Sequence, residues 1–246
     1  MTEFTVKSKR TVVATTGSRP PAAGNRPYEF TSDELATRLE WDFQGPKPRF
    51  INPFGAAAPN RIEVIDGGLK LVRGAKAPEN GTFCGFLWNT DVSGDFEATI
   101  NFRDFESQTD TDDWQAPRIE LQFDIGGGWS DSTNTHVIQT GLRRRADKKP
   151  GLFVGNRIRK GEDFDWKHSH RETQESAGSF RLVRKGEVAW CLHSKDGEGD
   201  WTIIYEGPIG NAPLKGGNFG LRTEIPKSSG EVIVTGFILK TREPPR

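Results

Sequence analysis

Two stretches of strict apolar and polar alternation constrain this chain more than any other feature. Between Asp95 and Arg103, the residues Phe96, Ala98, Ile100 and Phe102 alternate with Glu97, Thr99, Asn101 and Arg103. Between Arg118 and Ile125, the residues Ile119, Leu121, Phe123 and Ile125 alternate with Arg118, Glu120, Gln122 and Asp124. Successive side chains of an extended strand point to opposite faces, so each stretch predicts a strand with one apolar and one polar side. Such a strand is stable when its apolar side is buried against a second sheet, and Phe96, Phe102, Leu121 and Phe123 are the expected meeting point.

The same signature recurs along the chain. Arg61 to Ile65 and Leu69 to Val72 flank Asp66-Gly67-Gly68 and predict a hairpin. Further strands are expected at His136 to Arg143, Leu152 to Arg159, Phe180 to Arg184, Val188 to His193, Trp201 to Glu206, Asn218 to Arg222 and Glu231 to Lys240. Lys185-Gly186-Glu187 and Asp196-Gly197-Glu198-Gly199 supply turns, and 28 Gly with 15 Pro suit a chain of many short strands. Only Ser32 to Leu39 reads as helical, with Ser32 or Asp33 as N-cap. The expected fold is therefore all-β, a two-sheet antiparallel jelly-roll sandwich of about a dozen strands with at most one short helix near the N-terminus. No fixed-period repeat points to a propeller or solenoid. The expected organisation is a polar basic arm over residues 1–27 and one sandwich domain over 28–246, a size all-β domains reach as single units.

Charge and cysteine use narrow the function classes. Lys and Arg total 34 and Asp and Glu total 34, so no global charge steers the molecule toward nucleic acid or an anionic membrane. No stretch approaches the ~20 apolar residues of a membrane span, and the start Met-Thr-Glu-Phe-Thr-Val-Lys has no apolar export segment. The chain as given is thus expected to be cytoplasmic, or extracytoplasmic if it is a mature fragment. Cys84 and Cys191 lie in apolar runs without metal or redox spacing and read as buried thiols.

Three stretches in order carry a family resemblance. The first joins Leu39-Glu40-Trp41-Asp42-Phe43 to the run from Asn60 through Asp66-Gly67-Gly68 to Leu71. The second is Gly94-Asp95-Phe96-Glu97-Ala98 running on to Phe102. The third comprises Phe180 to Gly186, Ser194-Lys195-Asp196-Gly197, Asp200-Trp201-Thr202, Phe219 to Arg222 and Val234-Thr235-Gly236-Phe237. Together they resemble bacterial concanavalin A-like lectin/glucanase-fold domains, over residues 39 to 242. The resemblance implies the jelly roll and a setting among carbohydrate-handling proteins, but the fold hosts lectins, glycosidases, lyases and structural modules alike.

The polar row Arg118, Glu120, Gln122, Asp124 is the first candidate site, set beside Glu97, Thr99, Asn101 and Arg103 if the two strands are neighbours. Trp114 and Trp129 bracket it, and exposed indoles offer flat platforms for sugar rings. The alternative is a solvated outer face whose charges pair across strands. Glu120-x-Gln122-x-Asp124 also resembles the E-x-D-x-E strand of retaining laminarinases, which would make Glu120 and Asp124 the catalytic carboxylates. That mechanism needs the two groups about 5–5.5 Å apart. Here Gln122 replaces the central Asp and Asp124 the distal Glu. Positions i and i+4 of a strand lie about 13 Å apart at Cα, too wide for so short an acid.

Further ligand-contacting candidates are His136, Gln139 and Arg143 on one expected strand. Asp165, Trp166 and Arg171 fall in a stretch with His168 and His170 that reads as a polar loop over the sheet mouth. No third ligand is spaced to make a metal centre there. Arg143-Arg144-Arg145, Lys148, Lys149, Arg157, Arg159 and Lys160 suit an acidic polysaccharide or a phosphate backbone, or else a solvated hairpin. Asp104, Glu106, Asp110, Asp112 and Asp113 offer oxygens for Ca²⁺ but lack its loop spacing, so no cofactor is specified. Phosphate-loop and serine-hydrolase motifs are absent. Three readings follow: a carbohydrate-binding module with a polysaccharide or oligosaccharide partner, a glycoside hydrolase or lyase, or a structural protein-interaction sandwich.

Overall fold

The computed structural model describes residues 26–31, 33–75, 83–109, 116–126, 136–144, 151–161, 163–197, 200–223 and 228–245. Among them are 15 strands and no helix. Eight strands form one sheet: β1 (Thr37–Trp41), β3 (Arg61–Ile65), β4 (Gly68–Arg73), β6 (Phe96–Gln108), β11 (Gly178–Lys185), β12 (Val188–Ser194), β13 (Thr202–Pro208) and β15 (Ser229–Thr241). Seven form the other: β2 (Ile51–Phe54), β5 (Phe83–Trp88), β7 (Arg118–Ile125), β8 (His136–Arg143), β9 (Gly151–Lys160), β10 (Asp163–Glu172) and β14 (Leu214–Arg222).

The first sheet runs β13-β12-β11-β6-β15-β4-β3, and β1 adds to β15 end to end with β4. The second runs β10-β9-β8-β7-β14-β5-β2, all neighbours antiparallel. Alternation sets the inner faces as expected: Phe96, Ala98, Ile100 and Phe102 from β6 meet Ile119, Leu121, Phe123 and Ile125 from β7 in one buried cluster. Aromatic rings stitch the layers together. Phe219 stacks on Phe237 across the sandwich at 5.0 Å, and Phe96 meets Phe123 at 5.0 Å. In β15 the register shifts between Val234 and Gly236, and this extra residue lets Val232, Val234, Phe237 and Leu239 all face the core.

Several expectations are corrected. The polar rows of β6 and β7 are not neighbours, because the two strands lie in different sheets and their polar sides face away from each other. Of the segment expected to be helical, Ser32 lies outside the described residues, and Asp33 onward forms a single turn and then β1. Thr31 and Glu34 close a capping arrangement, with Thr31 N donating to Glu34 Oε2 at 2.8 Å and Glu34 N to Thr31 O at 3.1 Å. Pairing of Thr37–Trp41 with β15 then overrides the weak helical pattern. The expected loop around Trp166 is the edge strand β10. Arg143 and Arg144 are not a solvated pair: alternation sends Arg143 over the Phe153 ring at 4.8 Å and Arg144 toward Phe105 at 5.8 Å. Residues 1–25 of the arm, Arg145, Lys148 and Lys149 lie outside the described residues.

Both cysteines are buried and unbridged, Cys84 on β5 and Cys191 on β12. A second, smaller cluster lies on the outer side of the first sheet, where Tyr28 and Phe30 pack on Val183, Trp190 and Leu192. Because Phe219 touches Phe43, Phe86, Trp88 and Phe237, Phe219→Ala opens a cavity at the centre of the sandwich. The expected loss is about 3–5 kcal/mol in urea unfolding, and a loss below about 1 kcal/mol would contradict this core.

Candidate functional site

The outer side of the seven-stranded sheet gathers most of the candidate residues, and cross-strand register shows how. Arg118 lies opposite Arg222 of β14 on one side and Arg143 of β8 on the other. Glu120 lies between Gly220 and Gly141, and Gln122 between Asn218 and Gln139. Asp124, through Val137 of β8 and Arg157 of β9, shares a row with Trp166 of β10.

The two glycines beside Glu120 let rings lie flat on the sheet. A Cβ on Gly141 would come within 2.7 Å of the Phe153 ring, and one on Gly220 within 3.0 Å of the Phe83 ring. These rings wall in the centre of the face. Glu120, at 0% exposure, is clamped there by two arginines. Arg222 Nε donates to Glu120 Oε1 at 2.6 Å and Arg118 Nε to Oε2 at 2.9 Å, so each carboxylate oxygen has its own charged donor. Arg222 also lies over Phe83 at 5.4 Å. Burial alone pushes the Glu120 carboxyl up, but the charges of Arg222 and Arg118 and their hydrogen bonds outweigh it and hold the group below its ordinary value. A carboxyl held ionised in this way is a poor proton donor.

The other half of the face is open. Asp124, Gln139 and Arg157 are half-buried, while Trp166 at 37% exposure and His168 stand at the rim. The Trp166 indole leans over Gly155, with Nε1 3.2 Å from where a Cβ would sit. Burial pushes the Asp124 carboxyl up to about 6, against the lowering pull of the Gln122 hydrogen bond and of Arg157 and Arg222. Gln122 Nε2 donates to Asp124 Oδ1 at 3.2 Å. The face thus holds a buried Arg–Glu–Arg centre beside an open edge with an indole, an amide and a carboxyl pushed up to about 6.

Of the sequence-derived candidates, Arg118, Glu120, Gln122, Asp124, Gln139, Arg143 and Trp166 share this face. Alternation places His136, Asp165 and Arg171 on the opposite side of their strands. His136 Nε2 bonds Asn156 Oδ1 at 2.8 Å, and Asn156 Nδ2 donates to Tyr205 OH at 3.0 Å and Pro208 O at 3.2 Å, a polar tie between the sheets. Burial holds the His136 imidazole below its usual value. Trp114 and Trp129, with Asp110, Asp112 and Asp113, lie outside the described residues. Among the described residues, no three His, Cys, Asp or Glu side chains converge as a metal centre. Sequence reasoning did not single out Arg222, Phe83 and Phe153 as site residues, since their roles arise only from register.

A model of the family described as "Protein of unknown function (DUF1583) C domain" matches residues 23–236. The chain belongs to this family. No curated protein matches it. Among solved structures, xylan β-1,4-xylosidase from Bacillus halodurans C-125 is similar with a TM-score of 0.54 and 17% identity, over 89% of this chain and 41% of that one. The CBM2 module of the evolved Dit of Lactobacillus casei BL23 phage J-1 gives 0.53 and 8%, over 85% and 95%. The legume lectin-like domain from Entamoeba histolytica gives 0.50 and 10%, over 78% and 89%. At these identities the likeness is one of fold: this DUF1583 C domain is a concanavalin A-like lectin/glucanase-type sandwich, as its sequence resemblance implies.

The raised Asp124 value has a definite sign for stability. A carboxyl whose folded value lies above its unfolded one contributes stability below the unfolded value, and that contribution is lost as pH rises through about 6. Asp124→Asn should therefore match the wild type at pH 4 and exceed it by on the order of 2 kcal/mol at pH 7.5 in urea unfolding. A constant difference across that range would contradict the assignment.

Proposed function

We propose that this domain is a carbohydrate-binding module whose glycan site is the open half of the seven-stranded sheet's outer face. The observation that carries the proposal is Trp166: an exposed indole lying along a sheet face in the same row as Arg157 and Asp124, with Gln139 in the next row. Three strand spacings separate Trp166 from Asp124, about 14 Å, so an extended oligosaccharide is able to stack on the ring and still reach the carboxyl. The fold likeness to a legume lectin-like domain and to a CBM2 module supports this class of ligand.

Binding is favoured over hydrolysis because of Glu120. A glycosidase needs one carboxyl to donate a proton and a second to attack or activate water. Glu120 is sealed between two arginines and kept ionised, which suits an anchor for the sheet and leaves Asp124 without a catalytic partner at reach.

Affinity electrophoresis through gels containing the neutral polymers xylan, β-glucan or mannan tests the reading. Retardation by at least one polysaccharide is expected, with Trp166→Ala weakening it about tenfold or more, the range for losing a stacked ring. Wild-type protein that runs unretarded in every gel, or a Trp166→Ala variant retarded as strongly as the wild type, would refute it. Sugar release on incubation with those polymers would instead favour an enzyme.

A further inference from the structure

The opposite side of the molecule carries a groove that the glycan site does not use. It has a volume of about 520 Å³ and crosses the outer side of the eight-stranded sheet, from Arg38 and Glu40 on β1 to Lys195, Asp196 and Gly197 after β12. Its floor comes from β15, β6 and β11, where Lys240 faces Glu97, Gly236 faces Asn101, and Asn101 faces Ser179. Small residues make the depression: Ala177, Gly178, Ser179 and Gly197 line it, and the extra residue of β15 near Thr235 interrupts the ladder beside Asn101. Five strands lie across its length, about 19 Å at the usual strand spacing.

The charges of the lining are mostly spent on each other. Arg38 gives two hydrogen bonds to Glu40, at 3.1 and 2.7 Å. Lys240 takes Glu97 at 2.7 Å, and Lys195 takes Glu175 at 2.8 Å. Arg181 is the exception. Its Nε donates to Thr99 Oγ1 at 3.1 Å, Glu97 lies 3.6 Å away already claimed by Lys240, and the indole of Trp201 backs the guanidinium at 3.9 Å. The terminal nitrogens of Arg181 make no hydrogen bond among the described residues and remain for the groove. Beside them, Ser179 Oγ donates to Asn101 Oδ1 at 2.6 Å, which leaves the Asn101 amide nitrogen as a second donor.

We propose that this groove is a second ligand site, which takes an acidic polysaccharide by seating one of its carboxylates on the Arg181 fork and the Asn101 amide. A planar guanidinium held by stacking and one fixed hydrogen bond loses little freedom on meeting a carboxylate, and its two remaining nitrogens match the two oxygens. A guanidinium fork with two open nitrogens, set among amide and hydroxyl groups, fits a carboxylate borne on a hydroxyl-rich ring. A DNA backbone carries no free ring hydroxyls beside its phosphates and draws on a row of cations that this lining does not supply.

The test uses the full chain against polygalacturonate, its fully methyl-esterified form and single-stranded DNA, by calorimetry and affinity electrophoresis. The variants are Arg181→Gln, Ala177→Trp, which fills the groove from an exposed position, and Trp166→Ala on the other face. Polygalacturonate should bind the wild type and Trp166→Ala alike, at least tenfold more weakly to Arg181→Gln and Ala177→Trp, and the ester should bind no variant in this pattern. Absence of polygalacturonate binding, equal binding by Ala177→Trp, loss in Trp166→Ala alone, or DNA bound in place of the polysaccharide would each overturn the proposal. Because Trp166→Ala separates the two faces, failure here leaves the first site standing, and failure there leaves this one.

Discussion

A carboxylate buried between two guanidinium groups organises the outer side of the seven-stranded sheet. Glu120 occupies the middle of β7, the fourth strand of seven, and each of its oxygens takes a donor from a different strand. The desolvation of three charges is tolerable only because the pairing is complete; removal of one partner would strand the rest, at a typical cost of about 3–5 kcal/mol. Phe83 and Phe153 lie on bare glycine backbone to either side, excluding water and strengthening the pairing. The consequence is a division of one sheet face into a rigid, chemically silent centre and an accessible edge.

That division explains why the row Arg118, Glu120, Gln122, Asp124 is misleading when viewed alone. Its spacing resembles a catalytic strand, yet the neighbours decide what each member does. Glu120 has arginines on both sides and stays ionised, whereas Asp124 is buried with weaker support and is pushed up to about 6. Carboxyl groups four residues apart on the same face thus serve anchoring in one case and titration in the other. On the opposite side of the sandwich Glu97 repeats the theme, drawing Lys240 and Arg181 to one carboxylate and leaving part of one cation unspent.

Much of the fold was legible in the sequence because alternation encodes which side of a strand is buried. Phe96 to Phe102 and Ile119 to Ile125 announced the core directly, and Asp66-Gly67 announced the β3–β4 hairpin. The strands without bounds expected from sequence lack that code, although the apolar run around Cys84 reads as strand-like. β10 is an edge strand with mostly exposed side chains and so shows no apolar period, β2 contains Pro53, and β5 is a continuous apolar run buried on both sides. β1 follows a capped turn, and Leu35 of that turn with Leu39 of the strand imitates a helical spacing. The site was legible only as a row along one strand. Arg222 is 102 residues from Glu120, and no local pattern reports that pairing register brings them together. The same alternation that revealed the row also separates Trp166 from Asp165 and Arg171, once the segment is known to be extended.

The central claim is that Glu120 is an anchor held below the ordinary glutamate range by its two arginines, beside an Asp124 pushed above the ordinary aspartate range. Carbon-13 NMR of the side-chain carboxyls, followed from pH 7.5 to pH 3, reads this directly. The account predicts that the Glu120 signal changes at lower pH than an ordinary glutamate while the Asp124 signal shifts with a midpoint near 6. A Glu120 carboxyl that takes up its proton above pH 5 would contradict the account and return that residue to the list of candidate acids.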